Sequence, residues 1–177
     1  QSHYYNEKTL IDFYSNYYRK IYGNQAPSTL YKSQKNISGK KIYEIVSRLK
    51  RPKKVLEIGC GAGGILEVFR DAGSNVLGLD FDSDFLEIAR TNNINVKQGS
   101  IEVLDKTDKF DLIILSHVLE HIVQPADFLK ELRNFLDDDG ILYIEVPSVD
   151  MVSEGGYGFD LLNYFQNAHT IHFTTKS

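Results

Sequence analysis

The amino-acid sequence predicts an α/β fold in which a sheet of five parallel strands is covered by helices on both faces. From Lys54 onward, short apolar runs alternate with amphipathic helical stretches, and this alternation is typical of parallel sheets because each crossover lays a helix on the sheet. A length of 177 residues suits one domain, and a hydrophobic content of 42% supplies its core. The composition therefore excludes a chain that is disordered throughout.

Five apolar runs are predicted to be the strands, at residues 54–59, 75–80, 94–98, 110–116 and 141–147. The helices between them carry recognisable end signals. Gly73 ends the first helix, Asp82 or Ser83 caps the second, and Pro125 occupies the first turn of the third. The sequence DDDG is predicted to turn the chain before the fifth strand.

The N-terminal part of the chain differs from the rest in charge and in aromatic content. Amphipathic spacing predicts helices at 7–22 and 34–50, separated by GNQAPS. Residues 1–54 hold 12 Lys and Arg against 3 Asp and Glu, and they contain eight of the eleven tyrosines. This region is either a solvated helical face whose tyrosines pack on the main domain, or an arm that meets an anionic or ring-shaped substrate. We accordingly divide the chain into an arm (1–50), a core (51–147) and a tail (148–177).

The bulk composition also limits where the protein works. No apolar run approaches the roughly 20 residues that a membrane span requires, and the N-terminus lacks the apolar core of a signal peptide. We therefore expect a cytoplasmic protein. Cys60 is the single cysteine, so it forms no internal disulfide and gives no metal framework.

A glycine-rich loop separates the first predicted strand from the first helix. In EIGCGAGG, the glycines fit both the dinucleotide fingerprint G-x-G-x-x-G and the pattern E-x-G-x-G-x-G. Asp80 ends the next strand, 21 positions after Gly59, where an acidic residue can accept hydrogen bonds from ribose hydroxyls. The order of strand, loop, helix, strand and acid predicts a ligand that contains adenosine.

Four motifs resemble those of class I S-adenosylmethionine-dependent methyltransferases: VLEIGCGAGG, VLGLDFD, FDLIILSHVLEHI and FLKELRNFLDDDGILYIEVP. The resemblance covers about residues 50–175. It implies a Rossmann-like doubly wound sheet with strand order 3-2-1-4-5, S-adenosyl-L-methionine as the cofactor, and S-adenosyl-L-homocysteine as the product. A dehydrogenase would need a hydride-transfer site in further sequence.

The resemblance also implies roles for individual residues around the cofactor. Its methionine part would lie against the loop, its ribose on Asp80, and its adenine between Phe81 on one side and Ser100 and Ile101 on the other. Many members of the family carry Asp at the position of Ser100. The loop residues expected at the cofactor are Glu57, Gly59, Cys60, Gly61 and Gly63, and the residues expected near its sulfonium are Ser116 and His117.

The stretch SHVLEH contains H-x-x-E-H, which read alone indicates a zinc protease. The cluster straddles a strand end and a helix start, whereas a protease holds these histidines within one helix. Glu120 and His121 are therefore predicted to begin the next helix, with no metal. An alternative stays open, because some O-methyltransferases that resemble this segment hold a divalent metal. Its ligands here would be His117, Glu120, His121 and His169.

The resemblance places the C-terminal tail on the substrate side of the pocket. His121 and His169 are the candidate catalytic bases, and His172, beside Phe173, is interpreted as a packing residue. Tyr157 and Phe159 of SEGGYGFD would form a lid.

The predicted function is methyl transfer from S-adenosylmethionine to a small-molecule acceptor, a hydroxyl of a sugar or of a nucleotide-linked sugar that carries negative charge. Nucleic acid is not an expected partner. The alternatives are a metal-assisted O-methyltransferase of a quinone-type ring or RNA end, and a non-catalytic S-adenosylmethionine-binding module. The family sheet has seven strands, so strands 6 and 7 are expected to be absent through truncation, which leaves ILYIEV as an edge able to form a homodimer.

Overall fold

The computed structural model describes residues 7–18, 21, 26–150 and 169–176. In these residues a single sheet of five parallel strands has the order β3-β2-β1-β4-β5. The predicted fold class and strand order are confirmed. The strands are β1 Lys54–Ile58, β2 Asn75–Asp80, β3 Val96–Gln98, β4 Phe110–Ser116 and β5 Leu136–Glu145.

Helices cover both faces of this sheet. Successive residues of β1 point to opposite faces, so Val55 joins one buried cluster, with Phe69 of a covering helix, and Leu56 joins another, with Leu132 of a second helix. The α-helices are α1 Glu7–Asn16, α2 Pro27–Ser33, α3 Lys40–Ser47, α4 Gly64–Asp71, α5 Ser83–Thr91 and α6 Pro125–Leu132.

The predicted helix at 34–50 is wrong in its start and in its uniformity. Helical structure begins at Pro27, because a proline is well accommodated in the first turn, where its missing N–H is not needed. Between α2 and α3 the chain forms a π-helical segment at Gln34–Gly39. Such segments are rare and occur often at functional sites.

The predicted turn at DDDG is also wrong. The β5 strand begins at Leu136, opposite Phe110, and its pairing resumes where Ile141 faces Leu112. Between these two pairs, β4 advances by two residues and β5 by five. The acidic residues of β5 therefore lie in an irregular bulge within the strand. Charged residues are tolerated there because β5 lies at the edge of the sheet in the described residues.

Other boundaries shift by a few residues. The first helix was predicted to run to residue 22, but α1 ends at Asn16, although Tyr17 still donates its backbone N–H to the carbonyl of Phe13. The third strand begins at Val96 rather than at residue 94. The capping prediction is confirmed, since the Asp82 carboxylate accepts the backbone N–H of Asp84 at 3.0 Å.

The C-terminal tail returns to the carboxyl end of the sheet. Ser148 forms an isolated parallel bridge with Phe173, whose side chain packs against the apolar cluster that includes Leu56. Residues 151–168 lie outside the described part of the chain, so the expectation about strands 6 and 7 stays a prediction. Among the helices that the model does describe, none is both long and apolar enough to span a bilayer.

Candidate functional site

A cavity of about 320 Å³ lies at the carboxyl ends of the central strands. This is where ligands bind in open parallel sheets, because the loops that follow neighbouring strands diverge there. Residues of the core and of the N-terminal helices line the cavity. Its lining includes Glu57, Gly59, Asp80, Phe81, Ser100, Ser116, His117 and His121 from the core, and Tyr14, Tyr18, Ser33, Gln34 and Ser38 from the N-terminal helices.

The glycine loop at the cavity has the left-handed backbone that its glycines permit. Gly59, Gly61 and Gly63 have φ values of 69°, 54° and 79°. The loop is tied to the next strand because the backbone N–H of Gly61 donates to Oδ2 of Asp80 at 2.7 Å. The other Asp80 oxygen accepts the N–H of Asp82 at 2.9 Å. The Asp80 side chain thus ties the glycine loop to the residue that caps the next helix.

Gln34 holds the same loop from the N-terminal side. Its Nε2 donates to the carbonyl of Cys60 at 3.1 Å, and its Oε1 accepts the backbone N–H of Gly64 at 3.3 Å. The approach is close, since a Cβ on Gly64 would lie 2.3 Å from the carbonyl oxygen of Tyr31. The sequence prediction missed Gln34. Gln34 and Ser38 are two polar residues four positions apart, and both line the cavity.

Glu57 is a buried acid at the wall of the cavity. Its side chain sits on β1 with 1% of the residue exposed, and Oε2 has no hydrogen-bond partner within the described residues. Burial, together with the negative charge of Asp80, raises the pKa of Glu57 well above its ordinary value. A buried carboxyl with an unsatisfied oxygen fits a ligand that brings a hydrogen-bond donor into the cavity.

The opposite end of the cavity is bounded by Phe81 and Ser100. The backbone N–H of Gly99 donates to the carbonyl of Asp80 at 2.9 Å, which places Ser100 beside the end of β2. Ile101 lines a second, adjoining cavity of about 570 Å³, which also contains Phe81 and Ser100. The two cavities therefore share the wall at which adenine was expected.

His117 has an unusual backbone for a residue with a side chain. Its φ is 55°, in the left-handed region, and its N–H donates to the carbonyl of Glu145 at 2.8 Å, which joins the ends of β4 and β5. Strained residues of this kind cluster at functional sites. Nδ1 of His117 lies 3.6 Å from Oε1 of Glu120, and hydrogen bonding with that carboxylate raises the pKa of His117 above its ordinary value of 6.5.

Glu120 and His121 do not begin a long helix. They belong to a single 3₁₀ turn, Leu119–His121, because the chain becomes extended again at Ile122. Glu120 is 1% exposed, so it faces the interior rather than a solvated helix end. Its Oε2 has no hydrogen-bond partner among the described residues.

The tail brings a second histidine to this turn. The backbone N–H of Thr170 donates to the carbonyl of Glu120 at 2.8 Å, and its hydroxyl lies 3.1 Å from the carbonyl oxygens of Glu120 and Ile122. The rings of His169 and His121 are consequently 4.9 Å apart. One ligand-type atom from each of Glu120, His121 and His169 falls within a cluster no more than 4.8 Å across.

Two tyrosines of the N-terminal arm complete this end of the cavity. The ring centroids of Tyr14 and Tyr18 are 5.6 and 5.5 Å from that of His121, in edge-to-face geometry. The two rings thus contact the core and line the cavity, and the substrate-facing role of the arm stays a prediction.

Most, but not all, of the predicted site residues line these two cavities. His121 lines both, whereas His169 is reached through its contact with the His121 ring. Cys60, Gly61 and Gly63 line neither cavity, and Cys60 is fully buried beneath the loop. His172 is exposed, with its ring 6.1 Å from that of His169. The proposed lid residues Tyr157 and Phe159 lie outside the described residues.

A family model for a methyltransferase domain matches residues 32–176, which is most of the chain. The chain belongs to the methyltransferase domain family. The class I S-adenosylmethionine-dependent assignment made from the motifs is confirmed, and S-adenosylmethionine is the cofactor of that family. Residues 7–31, which carry Tyr14 and Tyr18, precede the matched region.

Curated relatives are similar to the core of this methyltransferase domain. A ubiquinone biosynthesis O-methyltransferase of Glaesserella parasuis is 38% identical over 104 residues, which cover 52% of this chain and 44% of the relative. An uncharacterized methyltransferase of Staphylococcus carnosus is 31% identical over 125 residues, which cover 68% of this chain and 58% of the relative. The chain thus spans about half the length of the curated relatives it matches.

Solved structures share the fold at low sequence identity. The plantazolicin methyltransferase BamL, in a complex that contains SAH, has a TM-score of 0.69 at 17% identity, covering 94% of this chain and 67% of that one. An S-adenosylmethionine-dependent methyltransferase from Archaeoglobus fulgidus has a TM-score of 0.66 at 19% identity, covering 84% and 69%. At these identities the likeness concerns the fold.

Proposed function

We propose that this domain transfers a methyl group from S-adenosylmethionine to a hydroxyl of a small-molecule acceptor. The observation that carries the proposal is that one cavity is lined by Gly59 of the glycine loop, by Asp80 and by His121. A cofactor site and a candidate base thereby open into the same space. The O-methyltransferase names of the relatives support oxygen as the acceptor atom.

The cofactor residues take the following roles in the proposal. Asp80, which lines the cavity at the end of β2, accepts hydrogen bonds from the ribose hydroxyls. Glu57 receives a donor from the methionine part through its unsatisfied Oε2. Phe81, Ser100 and Ile101 border the adenine. Gly59, whose Cβ would lie 2.5 Å from Cγ2 of Val118, lets the backbone pass close to the ligand.

Methyl transfer requires alignment more than chemical activation. S-adenosylmethionine supplies an electrophilic methyl group on a sulfonium, which leaves as a neutral thioether. The acceptor oxygen–carbon bond forms as the sulfur–carbon bond breaks, and the hydroxyl proton passes to a ring nitrogen of His121. The chain contributes by holding the hydroxyl at near-attack distance, accepting that proton and excluding water.

Two measurements test this function in order. Calorimetry should detect binding of S-adenosylhomocysteine and much weaker binding of NAD. A screen of sugar and ring-borne hydroxyl acceptors, read as release of S-adenosylhomocysteine, should then give turnover. Tighter binding of NAD would contradict the cofactor proposal, and binding without turnover on every acceptor would favour a non-catalytic module.

A second candidate is metal-assisted methyl transfer, which the Glu120, His121 and His169 cluster favours. The donor set suits zinc, whose tetrahedral bonds to nitrogen and oxygen of about 2.0–2.2 Å place two ligands roughly 3.3–3.6 Å apart. Ligand atoms at the 4.8 Å limit would have to approach one another by about 1 Å. A divalent ion bound there would lower the pKa of an acceptor hydroxyl.

Titration of the purified domain with Zn²⁺ and with Mn²⁺ tests this candidate directly. Binding that Glu120→Gln and His169→Gln each abolish, while His172→Gln retains it, would support the metal site. The matched control is suitable because His172 belongs to the same tail but not to the cluster. Absence of binding, or binding that survives Glu120→Gln, would leave His121 as an ordinary base.

A further inference from the structure

We propose that Tyr14 and Tyr18, together with the ring of His121, form a subsite that holds the acceptor by a planar aromatic ring. This subsite selects a hydroxyl borne on such a ring over the hydroxyl of a saturated, negatively charged sugar nucleotide. The inference rests on the proposed function and deepens it, because it names the acceptor class of the same cavity.

The three rings are arranged as a mutually contacting set. Tyr14 and Tyr18 have centroids 5.2 Å apart, and each lies 5.5–5.6 Å from His121. Aromatic rings attract one another at centroid distances of about 4.5–7 Å when they are tilted or edge-to-face. All three side chains line the same cavity. A planar ligand ring can therefore join the set with the same geometry.

The position of α1 shows that these rings reach the cavity by their spacing. Tyr14 lies in α1 and Tyr18 follows its end, but the backbone N–H of Tyr17 still donates to the carbonyl of Phe13, so the helical winding continues. Residues four apart then lie on one side, while Tyr17 points elsewhere and is 53% exposed. The helix also precedes the region that matches the family model, residues 32–176. The two tyrosines therefore lie outside the matched region.

The charges around the cavities disfavour an anionic acceptor. Within the described residues, neither cavity is lined by Lys or Arg. The first contains Glu57 and Asp80, and the second is rimmed by Glu102, Asp127 and Glu131. A diphosphate group would meet these acidic residues, and protonated His117 is a positive charge that the described lining offers against them. Within the described residues, the lining therefore favours a neutral ring over a diphosphate.

The test uses the full chain loaded with S-adenosylhomocysteine, so that cofactor binding is established before any acceptor is added. Calorimetric titration with catechol is compared with titration with cyclohexane-1,2-diol, which carries the same hydroxyls on a saturated ring. We expect catechol to bind more tightly. Equal affinity for the two probes, or affinity for neither, overturns the inference, while S-adenosylhomocysteine binding separates this result from failure of the proposed function.

Substitutions of the two tyrosines test whether their rings cause the preference for catechol. Tyr14→Leu and Tyr18→Leu remove a ring and should each weaken catechol binding about two- to tenfold, whereas Tyr14→Phe and Tyr18→Phe retain the ring and should bind it normally. Tyr17→Leu, on the exposed face of the same helix, should have no effect. If the leucine variants instead weaken S-adenosylmethionine while leaving S-adenosylhomocysteine and catechol unchanged, the rings hold the sulfonium and the inference is wrong.

Discussion

The two ends of the cavity are built in different ways. At the cofactor end, Gly61 and Asp82 donate backbone N–H groups to Asp80, so a short stretch of consecutive sequence fixes its own geometry. At the acceptor end, Tyr14, His121 and His169 come from three distant parts of the chain and meet through ring contacts. The end proposed for the cofactor is thus held by hydrogen bonds within residues 61–82 and by those of Gln34, whereas the end proposed for the acceptor depends mainly on ring contacts between separate segments.

This difference has a functional meaning. A loop fixed by its own backbone can bind one unchanging cofactor, whereas a wall assembled from separate segments can vary with the acceptor while the core stays the same. Glu120 lies at the end proposed for the acceptor. It is buried, and its Oε2 has no hydrogen-bond partner among the described residues. Mutations at the two ends should therefore separate cofactor affinity from turnover.

The strongest separation is expected at His121. If its ring accepts the acceptor proton, His121→Gln should lower kcat by roughly 10²–10⁴-fold, the usual contribution of a general base. Affinity for S-adenosylhomocysteine should stay nearly unchanged, because the product carries no acceptor. The measurement is steady-state turnover beside calorimetry, with His172→Gln as the control. Full turnover in His121→Gln together with loss in His169→Gln would transfer the role to His169.

The converse separation is expected at Asp80. Asp80→Ala should weaken S-adenosylhomocysteine binding by about 1.5–3 kcal/mol, because two ribose hydroxyls lose a charged acceptor and the loop loses its tie. Asp82→Ala provides the comparison, since it removes a helix cap and costs about 1 kcal/mol of folding stability without touching the ligand. Equal losses of affinity in the two variants would show that loop stability, rather than ribose contact, dominates.

Alanine substitutions at Gly59 and at Gly73 separate the cost of backbone strain from the cost of steric crowding against Val118. Gly59 and Gly73 both have positive φ, so alanine at either should cost about 1–2 kcal/mol of unfolding free energy from backbone strain. At Gly59 the new Cβ would also lie 2.5 Å from Val118, whereas at Gly73 it meets open space. Urea denaturation should rank Gly59→Ala as the less stable variant. The opposite order would contradict the proposed crowding at the loop.

The smallest effect is a dependence of cofactor affinity on pH. The Glu120 carboxylate raises the pKa of His117 above 6.5, so protonated His117 stabilises the fold at low pH and this contribution is lost as pH rises through the folded-state pKa. An imidazolium in the cavity repels a sulfonium but not a neutral thioether.

Affinity for S-adenosylmethionine relative to S-adenosylhomocysteine should therefore rise roughly two- to fivefold across that titration, a modest change because the His117 side chain is 60% exposed. Calorimetry at several pH values measures the ratio. His117→Gln should make the ratio independent of pH, and persistence of the dependence in that variant would assign it to another group.

At the end proposed for the cofactor, each structural element carries a local signal in the sequence. The signals follow one another within residues 54–80: the apolar run of β1, then the glycine loop, then Asp80 at the end of β2. The DDDG bulge was misread for a related reason, since turn residues and bulge residues are alike in sequence and only the pairing of Leu136 with Phe110 distinguishes them. Gln34 escaped notice because nothing adjacent to it in sequence reveals the loop it contacts.

By itself, the sequence determined the fold class and, through the family motifs, the strand order and the cofactor, because these depend on short-range periodicity and backbone freedom. Only the tertiary structure brought Tyr14 and Tyr18 onto His121 and placed His169 beside Glu120. It also decided that the basic residues of the N-terminal arm stay away from the cavities in the described part of the chain. Contacts between segments about fifty to a hundred residues apart depend on how whole segments pack, and no local pattern encodes that geometry.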